Sequence, residues 1–370
     1  MKKKLAIICA SLGQAPIVNK AKELGIETHC FAWDKEEDNY CKNIANYFHP
    51  ISILEKEQIL EKCKEIKIDG VTSIMNDYAV PTVAFVAQNM GLIGNRYENT
   101  LITGNKYKAR LTFSNNGVNS PRFTFAYKGK DPDLTDFRYP LIIKPTDRCA
   151  SVGVKKVDNK SEMLEAVQKA QQLSYSKEAL IEEYVFGHEA TLDMISWQGK
   201  HYPIIISDTE VMGESDFTKT GYHQPSKLSA DIQTKIINEA KKALTALKFE
   251  YGASDTEVKI TKTGEVKVIE INPRMGADAT EKLVRLSTGY DLVKGVIEIA
   301  LGQFEIPYFP LKKYSGVYFC RENTKGIKQA IENKENDPDI IQAHFYNEEE
   351  SGLDRIGYLI YQSDKKRQWI

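Results

Sequence analysis

The stretch Glu270-Ile271-Asn272-Pro273-Arg274 decides how this chain is read. It closes a run of branched apolar residues, Val266-Lys267-Val268-Ile269, that predicts a strand. A second strand-like run, over residues 251–260, lies just upstream and carries Asp255 and Glu257. The turn signal Thr261-Lys262-Thr263-Gly264 between them makes the two runs a hairpin. Period-two geometry puts Asp255 and Glu257 on one face. Two carboxylates and an amide oxygen on neighbouring strands are the hard oxygen ligands that Mg²⁺ takes when phosphates complete its shell. Glu257, Glu270 and Asn272 are therefore candidate ligands for Mg²⁺, or for Mn²⁺ in its place, beside the phosphates of ATP. Glu270 sits between Ile269 and Ile271, and a buried carboxylate without a partner is costly, so a metal explains it better than solvent does. Arg274 offers a planar fork for a carboxylate or a phosphoryl oxygen. Its candidate role is to hold the acid substrate as the catalytic residue of the set.

Other segments extend the pattern. Asn105-Lys106-Tyr107 opens a helix, and Pro140-Leu141-Ile142-Ile143-Lys144-Pro145 reads as a strand that ends on a lysine. A loop of small and polar residues, 146–154, follows. Its backbone at Ser151, Val152 and Gly153 would suit an anion nest. Ile181-Glu182-Glu183-Tyr184-Val185 and Gly187-His188-Glu189 come next. Taken in this order, from about residue 106 to about residue 302, these segments resemble those of ATP-grasp enzymes. The resemblance implies that Lys106 and Lys144 contact the phosphates of ATP and that the 146–154 loop lies over the triphosphate. It also implies that Glu182 and the backbone of Glu183, Tyr184 and Val185 read the adenine, and that Glu189 accepts from the ribose hydroxyls. The expected architecture is an ATP-grasp fold, α/β and α+β. It would have an N-terminal Rossmann-like parallel α/β domain over 1–104, an ATP-grasp domain over 105–305 with a mobile lid at about 123–185, a central antiparallel sheet, and a small C-terminal cap over 306–370.

The first hundred residues support the parallel part independently. Residues 5–10 form a continuous apolar run, as in a strand buried on both faces, and further strand signals fall at 26–33 and 70–75. Helical patterns separate them, at 11–24, 55–66 and 77–90. Loops at the carboxyl edge of such a sheet collect ligands, so Gln14, Asp34, Asn76 and Asp77 are candidate substrate contacts. The alternative for Gln14 and Asp77 is that they simply begin helices. Ser11-Leu12-Gly13 is not the glycine pattern of a dinucleotide site. A polar loop over 213–226, holding Asp216, Lys219, His223 and Gln224, reads either as a closure over the second substrate or as a solvated hairpin tip. Residues 310–370 read as a strand, a helix and two strands.

Composition narrows the partners. The chain has 370 residues, a net charge of −1, and 27% charged residues, with no basic surplus to favour nucleic acid or an anionic membrane. No run approaches the roughly 20 apolar residues of a membrane helix, and the basic start of the chain leads into a strand rather than a signal peptide. The six cysteines show no CxxC spacing. Zinc ribbons and redox dithiols are disfavoured, and a reducing cytoplasm is expected. Cys149, in the small-residue loop, reads as a passive residue rather than a reactive thiol. The expected activity is ADP-forming ligation of a small carboxylate or amino acid to an amine through an acyl phosphate, with ATP and Mg²⁺. The expected partners are small molecules, and a homodimer is an admissible assembly. Two rivals are another ATP-grasp reaction, such as bicarbonate activation or a purine-pathway ligation, and a non-catalytic nucleotide-binding module.

Overall fold

The structure is a computed structural model. It describes residues 2–34, 39–127, 132–212, 217–346 and 355–369. Among these residues the strands form three sheets. The first is parallel, ordered β3-β2-β1-β4, from β1 (Lys4–Ile8), β2 (Glu27–Phe31), β3 (Tyr47–His49) and β4 (Gly70–Thr72). Leu5, Ala6, Ile7 and Ile8 of β1 are all fully buried, because α1 (Ala15–Glu23), α2 (Lys56–Ile66) and α3 (Val80–Met90) cover the sheet. Helices α4 (Tyr97–Thr103) and α5 (Lys106–Asn115) lead out of this region.

The second sheet is antiparallel, ordered β5-β8-β6-β7, from β5 (Phe123–Tyr127), β6 (Leu141–Pro145), β7 (Lys155–Val157) and β8 (Glu178–Glu183). Helix α6 (Lys160–Leu173) presents Met163, Ala166, Val167 and Ala170 to Leu141, Ile143, Val157 and Ile181. Its start is fixed by a reciprocal cap. Asn159 accepts from the Glu162 amide at 3.1 Å, and Glu162 accepts from the Asp158 amide at 3.1 Å.

The third sheet is the central one, antiparallel throughout, ordered β13-β12-β9-β10-β11-β14-β16-β15. Its strands are β9 (His188–Trp197), β10 (Lys200–Val211), β11 (Lys219–Gln224), β12 (Gly252–Ile260), β13 (Val266–Asn272), β14 (Tyr314–Cys320), β15 (Ile340–Phe345) and β16 (Gly357–Ser363). Helix α7 (Ala230–Ala246) packs on one face, and α8 (Thr280–Thr288), α9 (Leu292–Ala300) and α10 (Lys325–Glu332) complete the chain. One apolar core joins the first and third sheets through Ile7, Ile74, Ile195, Ala253, Met275 and Val296. Ile195 is fully buried there, and its truncation to Ala would cost about 2–5 kcal/mol.

Several expectations need correction. Residues 219–224, expected as a polar loop, are a buried strand held between β10 and β14. Strand alternation sends Tyr222 and Gln224 to one face and His223 to the other. His223 is 1% exposed, donates or accepts at Tyr361 Oη (3.2 Å), and lies 3.3 Å from Glu210, away from the cleft described below. Asp216 falls outside the described residues. Residues 310–370 do give a strand, a helix and two strands, and β14 to β16 extend the central sheet. Gln14 does begin a helix, at the N-cap position of α1, but without a side-chain cap bond: it is 1% exposed and clamps the backbone of Ile74 with both ends of its amide. Asn76, not Asp77, caps the turn before α3, accepting from the Ala79 amide at 3.1 Å. Short β3 and helix α4 carry too little periodic signal to be seen in the sequence.

Candidate active site

Two adjoining hollows lie between the second sheet and the central sheet, sharing Thr191, Lys219, Glu257 and Glu270. The first is a cleft lined by Lys106, Lys144, Glu182, the 183–185 segment, Glu189 and Lys259. The second is a cavity of about 610 Å³ that runs on toward Asp77, Asp193, Arg274 and Arg355.

Antiparallel pairing builds the boundary between them. Glu270 stands directly opposite Glu257, and Glu257 opposite Thr191. One step further, Asn272 stands opposite Asp255, and Asp255 opposite Asp193. Directly opposed residues lie about 4.5–5.5 Å apart between β-carbons, so the two glutamates can share one ion. Each is already matched by a lysine. Lys106 Nζ lies 2.8 Å from Glu270 Oε1 and also donates to the Arg148 carbonyl at 2.6 Å. Lys219 Nζ lies 2.6 Å from Glu257 Oε1. Burial pushes the Glu270 carboxyl up, but Lys106 and Lys144 more than offset it and hold it down at about 2. Glu270 is thus ionised and ready to coordinate a cation. Among the described residues no three acidic, histidine or cysteine side chains converge as an all-protein cage. Two carboxylates and the Asn272 amide fit Mg²⁺, which keeps part of its shell for phosphates and water.

Deeper in the cleft is a closed triad. Glu182, 2% exposed, is paired with Arg110 and, at 2.6 Å, with Lys144 Nζ. Arg110 also donates to the Ile269 carbonyl, which ties the triad to the strand that carries Glu270. Both oxygens of Glu182 are therefore engaged, and its side chain is not available to adenine. The Glu183 and Tyr184 amides donate to the carbonyls of Arg122 and Pro140, each at 3.0 Å. Gly187 follows with φ +151, and a β-carbon there would meet the Ile260 carbonyl at 1.9 Å. This close approach brings the 183–187 segment against the end of β12. Glu189 lies opposite Lys259 in the β9–β12 ladder, and the two pair at 3.0 Å. Lys259 also donates to Tyr184 Oη at 3.3 Å.

In the small-residue loop, Ser151 and Val152 line the cleft, and Gly153 does not. The Val152 amide donates to the Cys149 carbonyl at 3.2 Å within the turn, so it is not a free member of a nest. Gly153 has φ +75, and a β-carbon there would meet Leu173 at 2.8 Å, so this glycine serves the packing of the loop against α6.

The cavity holds the rest. Arg274 forks onto Asp77, with Nε 3.0 Å from Oδ1 and Nη2 3.1 Å from Oδ2, and its Nη1 lies 3.5 Å from Asp255. Arg355 pairs with Asp278 at 2.8 Å. Burial and the nearby Asp255 push the Asp193 carboxyl well up, and burial pushes Asp255 up to about 6 against the pull of Arg274. Sequence reasoning missed Arg110, Asp193, Lys259 and Arg355 as site residues, and met Lys219 only as part of a polar loop. Lys259 carried a readable signal, as a lysine in a strand that alternates apolar and polar. Arg355 and Asp193 carried none, because only the folded sheet brings them to the cavity.

Comparison with known proteins agrees with this geometry. The ATP-grasp domain family matches residues 137–282. Alanine–anticapsin ligase of Bacillus amyloliquefaciens is 25% identical over 315 residues, covering 74% of this chain and 65% of that protein. D-alanine–D-alanine ligase of Fusobacterium nucleatum is 26% identical over 224 residues, covering 57% of this chain and 74% of the relative. The crystal structure of an L-amino acid ligase from Bacillus licheniformis superposes with a TM-score of 0.81 at 22% identity, covering 98% of this chain and 94% of the other. Among the described residues no helix is long and apolar enough to cross a membrane. Residues 137–282 thus match the ATP-grasp domain, and the chain shares its overall fold with the L-amino acid ligase structure.

Proposed function

We propose that this chain is an ADP-forming carboxylate–amine ligase. The observation that carries the reading is the Glu257–Glu270 pair. It stands in register at the junction of a lysine-lined cleft and a second, charged cavity, each glutamate already matched to a cation. A mere nucleotide binder has no need of the second cavity. The relatives named as amino-acid ligases support the same class.

In this reading ATP lies in the cleft. The Val185 amide and the carbonyls of the 183–185 segment face its adenine, and Glu189, steadied by Lys259, accepts from the ribose. Lys106 and Lys144 meet the phosphates as point charges, and the 146–154 loop lies over them. Glu257, Glu270 and Asn272 would hold Mg²⁺, which would draw charge from the transferring phosphoryl group. A substrate carboxylate oxygen forms a bond to the γ-phosphorus as the bond to the ADP oxygen breaks. The amine nitrogen then bonds to the acyl carbon, the carbon–oxygen bond to phosphate breaks, and inorganic phosphate leaves with the proton that the nitrogen gives up. The protein supplies position and opposing charge rather than covalent chemistry. Arg274 and Lys219 border the cavity where the acyl phosphate would form.

The test is phosphate release from Mg·ATP over a matrix of small carboxylates and amines, amino acids included. Release that needs both an acid and an amine, with ADP rather than AMP as the product, is the expected result. Release with bicarbonate alone, or none with any pair, defeats the reading.

A further inference from the structure

The cavity beside the metal pair holds more acid than its own bases match. Among the described residues six carboxylates line it, from Asp77, Asp193, Asp255, Glu257, Glu270 and Asp278, against three bases, Lys219, Arg274 and Arg355. Each base is committed: Lys219 to Glu257, Arg274 chiefly to Asp77, and Arg355 to Asp278. Lys106, from the neighbouring cleft, takes Glu270. Two carboxylates are left under-matched, and they are cross-strand neighbours. Asp193 is 4% exposed, lines the cavity, and has no hydrogen-bond or ion-pair partner among the described residues. Asp255 has one fully buried oxygen, Oδ1, with no partner, and its other oxygen is only 3.5 Å from Arg274.

Buried carboxylates without donors cost several kcal/mol of solvation, a cost that a proton offsets and that a bound cation would offset in its place. A divalent metal is the poorer match. Only two carboxylates converge, among the described residues no metal-holding group of three is found, and the Arg274 guanidinium beside them repels a 2+ ion. An ammonium group brings one charge and three donors, which suits two carboxylates on adjacent strands. We infer that the second substrate of this cavity docks through a primary ammonium group seated between Asp193 and Asp255. This places the ammonium two residues along the strands from the Glu257–Glu270 pair, roughly 7 Å away, within the reach of one small amino acid. The inference rests on the ligase reading and narrows it, because it requires an ammonium-bearing substrate rather than a plain carboxylate.

The experiment is a calorimetric titration in the presence of Mg²⁺ and a non-hydrolysable ATP analogue. The probes are the common L-amino acids, each set against its des-amino acid, such as alanine against propanoate. At least one amino acid is expected to bind wild type, with its des-amino counterpart at least tenfold weaker. Asp193→Asn is expected to weaken that amino acid roughly ten- to a hundred-fold while leaving the ATP analogue unchanged. Asp193→Ser serves as a second variant, and analogue binding shows that each variant is folded. Binding that does not depend on the nitrogen, binding untouched in both variants, or no bound amino acid at all overturns the inference. So does Mg²⁺ alone binding at a site that Asp193→Asn removes. Loss of analogue binding by wild type would instead sink the ligase reading, so the two failures are distinguishable.

Discussion

Two groups of opposite charges, linked where Arg110 donates to the Ile269 carbonyl, differ in access. In the Arg110–Glu182–Lys144 triad every side chain is at most 7% exposed, and both oxygens of the carboxylate are taken. In the Lys106–Glu270 and Lys219–Glu257 pairs the lysines are 17–18% exposed and the glutamates 30%. The first group is a fixed frame. It locks β8 of the second sheet to α5 and, through the Ile269 carbonyl, to β13 of the central sheet. The second group borders open space, and its lysines can give way to a metal and phosphates at little cost. Similar residues thus do structural work where they are closed in and chemical work where they face the cleft, and Lys144, paired with Glu182 yet lining the cleft, belongs to both.

The sharpest way to break this comparison is to remove one charge from each group. Glu182→Gln leaves Arg110 and Lys144 buried without their counter-charge. The expected loss of stability is about 3–5 kcal/mol, read by urea unfolding. A loss below about 1 kcal/mol would mean that the triad behaves like a surface pair, and the distinction would fail. Glu270→Gln should show the opposite profile. Unfolding should move little, since Lys106 keeps the Arg148 carbonyl as a partner. Turnover should fall by a hundred-fold or more, about 2.7 kcal/mol or above in transition-state stabilisation. Normal phosphate release from a folded Glu270→Gln protein would remove Glu270 from the metal set.

Arg274 lies between the two regimes. Its side chain is 12% exposed, and its partner Asp77 is 27% exposed. Arg274→Lys keeps the charge and loses the fork. The KM of the acid substrate should rise roughly ten- to a hundred-fold, the worth of a charge-assisted hydrogen bond, with nucleotide affinity unchanged. If calorimetry shows the nucleotide weakened and the acid's KM untouched, Arg274 is a phosphate ligand. The fork onto Asp77 sharpens the measurement: Asp77→Asn should lower the acid's KM if Asp77 competes for the guanidinium, and raise it if Asp77 aims it.

How much of this was legible follows from the range of each signal. The β12–β13 hairpin, with Glu257, Glu270 and Asn272, was readable because strand alternation and a glycine turn are local patterns. Lys144 was readable for the same reason, at the end of an apolar strand. What failed was anything set by partners far along the chain. Glu182 looked like a free acid in a hinge until Arg110, 72 residues away, was seen to hold it. Residues 219–224 read as a loop because Lys219, His223 and Gln224 are polar, yet each has a specific protein partner: Glu257, Glu210 and Ser207. Asp193 sits in a run of buried residues and became a candidate only when β12 placed Asp255 opposite it. Polarity in sequence reports a need for partners, and only the fold says whether those partners are water or protein.

The mildest expected effect concerns the far face of the central sheet. Glu210 faces His223 at 3.3 Å and Lys366 at 3.1 Å, and its side chain is 35% exposed, so it stands between the closed triad and a surface pair. The His223 ring at 3.3 Å, and then Lys366, hold the carboxyl down at about 2, from an ordinary 4.5. The sign follows from linkage. The unfolded chain binds this proton more readily, so the contribution of Glu210 is fully present above about pH 4.5 and is lost as pH falls through about 2. With more than a third of the side chain in solvent, screening keeps the gain to about 1 kcal/mol or less. Wild type and Glu210→Gln should therefore differ in urea stability at pH 6 and converge toward pH 2.5. A gap that stays constant across that range would show that Glu210 acts through packing rather than charge, and the graded relation between access and electrostatic role would lose its intermediate case.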